Sequence, residues 1–409
     1  MGRLLIHRAR VATMTGPQAA EGEAPLGLIE DGAVACEGDR IVYVGPSAGA
    51  PPADESIDAQ GDLLTPGLVD SHTHLLFAGD RAHEHAQRLA GATYLEIARQ
   101  GGGILSTVRA TRAASDEQLF ESARRRLERM AQAGVTTVEV KTGYGLTVND
   151  ELRMLYNLRK LAGAAGCDVV PTLLGLHAVP PEMDRARWVQ AVARDLIPEA
   201  ARQGARGCDA FLERGAFDGD DCRIALTAGI EAGLTAHLHA DQLTSGGGAE
   251  LAAELGCASA GHLDKTTAHG IEALARARSA AVLLPLSAWF LRERAAQAKP
   301  FLDAGVTVAL ASNLNPGSQR IESVSLLLAA GCLLSGLTPA QALWACTAGG
   351  AKALRLDDRG TLRRGLRADL VMFSTTDPAH LPYHAGVEHA RIVIAGGRVI
   401  QRTSRALCD

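Results

Sequence analysis

No stretch of this 409-residue chain stays apolar for the roughly 18–20 residues that a membrane-crossing helix needs. Its opening, MGRLLIHRARVATMT, holds neither an apolar core nor a small-residue cleavage site, so no secretory leader is expected and the expected location is the cytoplasm. Charge of one sign is not in excess. With a formal net charge of −5, nothing argues for nucleic acid or an anionic membrane as the partner. Zinc-finger spacing is missing as well: the eight cysteines (Cys36, Cys167, Cys208, Cys222, Cys257, Cys332, Cys346, Cys408) are scattered. They are expected as reduced, mostly buried thiols, because a chain of this length builds its core without disulfide staples. With 47% hydrophobic and 21% charged residues, the composition is that of a globular protein and argues against long disorder.

Both ends of the chain read as short strands and glycine-punctuated turns. RLLIHRARV, GAVACEGDRIVYVG and ESIDAQGDLL fall within residues 1–62, and GLRADLVMF and HARIVIAGGRVI within 359–409. Antiparallel pairing is expected there, as a small β-sandwich built from both ends. Between them, residues 63–358 carry eight apolar runs: 63–70, 136–140, 169–174, 208–212, 235–240, 259–263, 281–285 and 306–312. Amphipathic stretches such as 116–134 separate the runs, and the long gap after the first leaves room for an extra helix. Near-continuous apolar strands alternating with helices predict a parallel sheet, and eight units predict a closed (β/α)8 barrel.

Catalytic groups of such barrels stand at the C-terminal ends of the strands, and the chemistry-bearing residues here follow the runs. His72 and His74 end the first, Lys141 and Tyr144 follow the second, and His177 follows the third. His239 lies in the fifth, His262 ends the sixth, and Asn313 and Asn315 follow the eighth. Histidines two apart on a strand project to one face, so His72 and His74 can reach one cation. In AHLHADQ, His239 is nearer the mouth, and His237, two residues deeper, is expected in the core. A hydrolytic metal site needs about three protein ligands and an open position for water. His72, His74 and His239 supply the three. A fourth, oxygen ligand is usually a carboxylate that also accepts the proton of the attacking water.

Two further segments have plain readings. GGAELAAELG (247–256) lacks the lysine and spacing of a phosphate loop and reads as loop then helix. RRRLER (124–129) reads as the solvated face of an amphipathic helix.

The order PGLVDSHTH, HADQ, SNLNPGS and GLRADLVMF resembles the amidohydrolase superfamily. More narrowly, SHTHLLFAGDRAHE, GGGILSTVRATR, VKTGYGL, LGLHAVPPE, HADQLTSGGGAELAAELG and NPGS resemble the imidazolonepropionase family, over nearly the whole chain. The resemblance implies opening of the 4-imidazolone-5-propanoate ring to N-formimidoyl-glutamate in histidine degradation, with one divalent metal, zinc or iron, and a homodimer. It implies His72, His74, His239 and the position of Asn313 as metal ligands, with Arg81, Tyr94, Tyr144, His177, Asn315 and Gly317 around the substrate. Gln242 and His262 would stand beside the attacked carbonyl. Arg81 suits a bidentate grip on the propionate carboxylate. Lys141 is not expected as a carboxylated bridging ligand, since the family uses one metal.

Two positions depart from the family pattern. Asn313 stands where an aspartate is usual in T/S-D-x-N-P-G, and Gly261 where S-A-D-H-L has its aspartate. The Asn313 carboxamide oxygen can still face a metal, but it is neutral and takes no proton at neutral pH. Without a carboxylate at 261, the protonated form of His262 loses support. Three readings therefore stand open: an imidazolonepropionase that works through His262, directly or through water; a paralogue acting on a hydantoin or 2-thioxo ring, in the latter case expelling sulfide; and an inactive ligand-binding variant.

Overall fold

The computed structural model describes residues 2–92, 96–97, 101–164 and 166–403. From the amino terminus the chain forms β1 (Arg3–Ala12), β2 (Leu28–Glu37), β3 (Arg40–Pro46), β4 (Glu55–Asp58) and β5 (Leu63–Pro66). It then runs through β6 (Leu68–Asp70), β7 (Val135–Lys141), β8 (Asp168–Leu176) and β9 (Gly207–Leu212). Next come β10 (Thr235–Ala240), β11 (Ser259–His262), β12 (Ala280–Leu283) and β13 (Val308–Leu310). The last strands are β14 (Leu370–Phe373), β15 (Ala390–Ala395) and β16 (Arg398–Arg402).

Strands β6 to β13 lie side by side in chain order, every ladder between them parallel. This is the expected (β/α)8 barrel, with helices between strands. The long gap after β6 holds Ala82–Leu89, Ile104–Ala113 and Asp116–Gln132. Side-chain and loop contacts close the seam between β13 and β6. Asn313 N donates to His72 O at 3.0 Å and His74 N to Leu314 O at 2.9 Å, while Ser312 N donates to Asp70 Oδ1 at 3.2 Å. On the β13 edge, the Gln18 carboxamide donates to Val308 O and accepts from Val308 N, at 2.7 and 3.0 Å, as a neighbouring strand would.

The apolar run 63–70 does not form one barrel strand. Its first half, β5, pairs with β14 and β1 in the outer sheet, and only β6 enters the barrel. The change of sheet falls at Gly67, where a Cβ would meet Thr136 Oγ1 at 2.1 Å. The backbone passes too close to β7 there for any side chain.

The outer sheet runs β16-β15-β14-β5-β1-β2-β3, with β4 also on β1, so both chain ends share one layer. Its apolar face joins Ile6, Val34, Ile41 and Leu64 to Met372 and Ile394. Antiparallel pairing holds for β1–β2, β2–β3, β14–β15 and β15–β16, but β1 runs parallel to β4 and β5. After β3 the chain crosses back before β4 and β5, so these strands enter in the direction of β1.

Helix Asp116–Gln132 starts at a Ser115 capping box with Gln118 and buries Leu119, Ala123, Leu127 and Met130 on one face. The solvated-face reading of 124–129 is corrected here. Arg126 is buried, donates to Leu75 O and Phe77 O at 2.8 and 3.1 Å, and lies 3.6 Å from the Phe77 ring centroid. A guanidinium that satisfies two carbonyls and stacks on an aromatic face is stable where a bare charge is not. Segment 247–256 is loop and then helix Gly248–Glu254, whose first amides are accepted by Asp241. The seven described cysteines are free thiols, all buried except the half-buried Cys332; Cys408 lies outside the described residues.

Candidate metal centre

His72 and His74 follow β6 on the same side, and His239 reaches the same point from β10. His239 Nε2 lies 3.1 Å from His72 Nε2 and 3.2 Å from His74 Nε2. His262, at the end of β11, brings a ring nitrogen into the same cluster: one nitrogen each from His72, His239 and His262 lies within 4.8 Å of the others. All four rings are buried. Burial holds His72, His74 and His262 well below the usual imidazole range, and neighbouring positive charge adds to the effect. They are neutral, which is the form that carries a lone pair for a cation.

The backbone is strained where these groups are presented. Asp241, His262 and Asn313, beside the ends of β10, β11 and β13, take φ of 51°, 73° and 52°. Non-glycine residues rarely adopt such angles, and active sites are where they collect. The backbone N–H of Asn313 donates to His72 O, and its side-chain Oδ1 is buried with no hydrogen-bond partner among the described residues.

Behind the cluster is a buried ion-pair network. Asp209 Oδ1, on β9, lies 3.1 Å from His239 Nδ1 and accepts from His239 N at 3.2 Å. Asp209 Oδ2 lies 2.8 Å from Lys141 Nζ, which also donates to Glu139 Oε1 at 2.8 Å. Lys141 is thus held between two carboxylates. Burial acts to raise Asp209, but the charges of His239 and Lys141 outweigh it and hold this carboxyl well below its usual range. Asp70, pushed up to about 6 by burial, accepts from Ser312 N and His72 N. Sequence reasoning missed Asp209, Glu139 and Asp70. The signal was an acid inside each of the apolar runs CDAFL, TTVEV and LLTPGLVD, where a carboxylate needs a partner.

The other expected site residues divide. His177 stacks on His74, with centroids 4.9 Å apart at 23°; its Nδ1 lies 3.0 Å from Gly143 O, and burial pulls it down to about 3. The buried Tyr144 ring is 5.2 Å from His177. Arg81 reaches the same mouth with its Nε held by Glu84 at 2.7 Å. Its guanidinium presses on Gly317, where a Cβ would come within 2.1 Å of Nη1. Asn315 is engaged inside its own loop: Nδ2 donates to Asn313 O at 2.7 Å, and Oδ1 accepts from the amides of Gly317 and Ser318. Gln242 is half-buried two residues past β10. Tyr94 lies outside the described residues. His237 sits deeper, its Nδ1 2.8 Å from Ser259 Oγ, as a core histidine.

An amidohydrolase family model matches residues 94–401. The imidazolonepropionase of Anaeromyxobacter sp. strain K is 50% identical over 413 residues, covering 98% of this chain and 96% of that protein. Those of Myxococcus xanthus and Geobacillus kaustophilus are 47% and 45% identical, covering 99% and 98% of this chain and 98% of each relative. Among solved structures, a triazine hydrolase from Arthrobacter aurescens superposes with a TM-score of 0.78 at 18% identity, covering 100% of this chain and 97% of that one. A 5-methylcytosine deaminase from Klebsiella pneumoniae does so at 0.75 and 18%, covering 98% of each. At these identities the solved structures speak to the fold alone. With 45–50% identity to these relatives over nearly the whole length of both partners, the chain belongs to the imidazolonepropionase family of amidohydrolases.

Proposed function

We propose that this protein hydrolyses the ring amide of 4-imidazolone-5-propanoate to N-formimidoyl-glutamate, using one divalent cation, zinc or iron. The observation that carries the reading is the convergence of His72, His74 and His239, with Nε2 separations of 3.1 and 3.2 Å. Two nitrogens each about 2.0–2.1 Å from one tetrahedrally held ion stand about 3.3 Å apart, so the residues fit a shared cation. Neutral imidazoles and the unpartnered Asn313 Oδ1 fit it as well. His72, His74 and His239 would hold the ion, with Asn313 Oδ1 as the oxygen donor. When bound, the ion supplies Lewis acidity, polarising the ring carbonyl and making water a better nucleophile at neutral pH.

The chain's own groups do the rest. Arg81, fixed by Glu84 against Gly317, binds the propionate carboxylate. Tyr144 and His177 wall the ring. Asn315 shapes the Asn313–Ser318 loop. Water adds to the ring carbonyl carbon, the carbon–nitrogen bond breaks, and the water's proton goes to the departing nitrogen through neutral His262. Gln242 donates to the developing oxyanion. The protein acts as a homodimer in the cytoplasm.

A second reading draws on Asn313 and Gly261, which leave this mouth two carboxylates poorer. It is a paralogue acting on a hydantoin or a 2-thioxo ring; in the thioxo case sulfide is the leaving group and needs less help from a carboxylate. The experiment is a ranking of kcat/KM for the metal-loaded protein on imidazolone, hydantoin and 2-thioxo propionates. Imidazolone first upholds the main reading, and another ring first replaces it. No turnover of any of the three leaves a ligand-binding protein.

A further inference from the structure

The Asp209–Lys141–Glu139 network touches every element that presents a metal-site histidine from β6 or β10. At one end Asp209 Oδ1 meets both His239 N and His239 Nδ1. At the other, Thr73, between His72 and His74, is held three times by β7. Its amide donates to Glu139 Oε2 at 3.3 Å, its hydroxyl donates to Glu139 O at 2.7 Å, and its carbonyl accepts from Lys141 N at 2.9 Å. The Lys141 ammonium joins the ends, 2.8 Å from a carboxylate oxygen of each acid. All three side chains are at most 1% exposed, so water does not screen their charge. The donors facing the cation position are three imidazoles and the carboxamide of Asn313, none of which carries a negative charge.

We propose that Asp209 is the positioning residue of this metal site and also the carboxylate that balances the cation's charge, a task left to it because Asn313 is neutral. Asp209 holds His239 in the tautomer that turns Nε2 towards His72 and His74, and its charge makes that nitrogen a stronger donor. The inference rests on reading the three histidines as ligands, but it does not require that any particular ring be hydrolysed.

Zinc ion alone is the probe, added to the full chain after chelator stripping, with affinity read by competition against a chromophoric chelator. Asp209→Asn is expected to weaken zinc binding by roughly 10–100-fold. The same substitution made on Asn313→Asp is expected to cost clearly less, since a carboxylate then faces the ion directly; the two sites couple in a double-mutant cycle. An unchanged affinity, or equal losses in both backgrounds, overturns the proposal. A second measurement needs no Asp209 variant to fold: in zinc-loaded, 15N-histidine-labelled unaltered protein, His239 gives a low-field, slowly exchanging Nδ1–H signal, assigned by its loss in His239→Gln. Absence of that proton also overturns the proposal. Zinc affinity is read without turnover, so an inactive but tightly binding protein sinks the proposed reaction and leaves this inference standing.

Discussion

Gly261 and the His72 ring compete for one space: a Cβ on Gly261 would lie 2.9 Å from both Cε1 and Nδ1 of His72. Real Cβ atoms do not approach so closely, so any side chain at 261 moves an imidazole of the metal cluster. Gly261→Ala is therefore expected to destabilise the metal-free fold by about 1–3 kcal/mol through overpacking, and to lower zinc retention at the same time. Urea unfolding and elemental analysis of the purified variant check both. Full zinc content in Gly261→Ala would mean that His72 has slack the close approach denies.

At Asn313, the buried carboxamide oxygen has no hydrogen-bond partner among the described residues, and the backbone is already in the left-handed region that Asn and Asp tolerate. Asn313→Asp therefore adds a base without reshaping the loop. On the imidazolone substrate it is expected to raise kcat by about 10²-fold, the lower end of general-base effects. If kcat does not rise, proton transfer through His262 is already sufficient and a carboxylate at 313 adds nothing.

Asp264, on the loop after β11, accepts from Ala296 N at 2.9 Å, and burial pushes its carboxyl up to about 7. Between about pH 4 and pH 7 the folded state then holds a proton that the unfolded state has lost, so stability falls as pH rises through this window and levels off above it. Asp264→Asn keeps an acceptor for Ala296 N and removes the slope. The expected gain over the unaltered protein at pH 8 is about 2 kcal/mol, below the full value of the shift because the side chain is not sealed from solvent. Urea midpoints at pH 5 and pH 8 measure it; parallel pH profiles for the two proteins would rule the effect out.

Arg126 satisfies Leu75 O and Phe77 O from beneath the loop that follows the His72–His74 pair. Arg126→Ala leaves Leu75 O without its donor, leaves Phe77 O only the long 3.4 Å bond from the Ser122 hydroxyl, and bares one face of Phe77. The expected loss is about 2–4 kcal/mol, read as a lowered urea midpoint. Arg126→Lys should recover only part of it, since a compact ammonium does not stack on the Phe77 ring as the planar guanidinium does. A variant as stable as the unaltered protein would show these bonds to be dispensable.

Much of the architecture was legible because strand and helix periodicities are local. Seven of the eight apolar runs lie on the barrel strands within a few residues, and His-x-His at the end of the first announces a shared face. The run 63–70 misled because hydrophobicity does not say which of two sheets a strand joins; the close approach of Gly67 to Thr136 decides that. Arg126 misled for a similar reason. Its neighbours in sequence are solvated, and only the carbonyls and the ring arriving from another loop make its burial tolerable.

The sequence by itself determined the barrel, the layer built from both chain ends and the histidines that gather at the mouth, because each is written in residue type and spacing along the chain. Tertiary structure alone decided what stands behind those histidines. Glu139 and Lys141 share β7, but Asp209 follows Lys141 by 68 residues, on β9, and nothing in that spacing couples it to them. Closure of the barrel makes them a single buried network, since a carboxylate in a water-free interior persists only where the fold delivers its counter-charge.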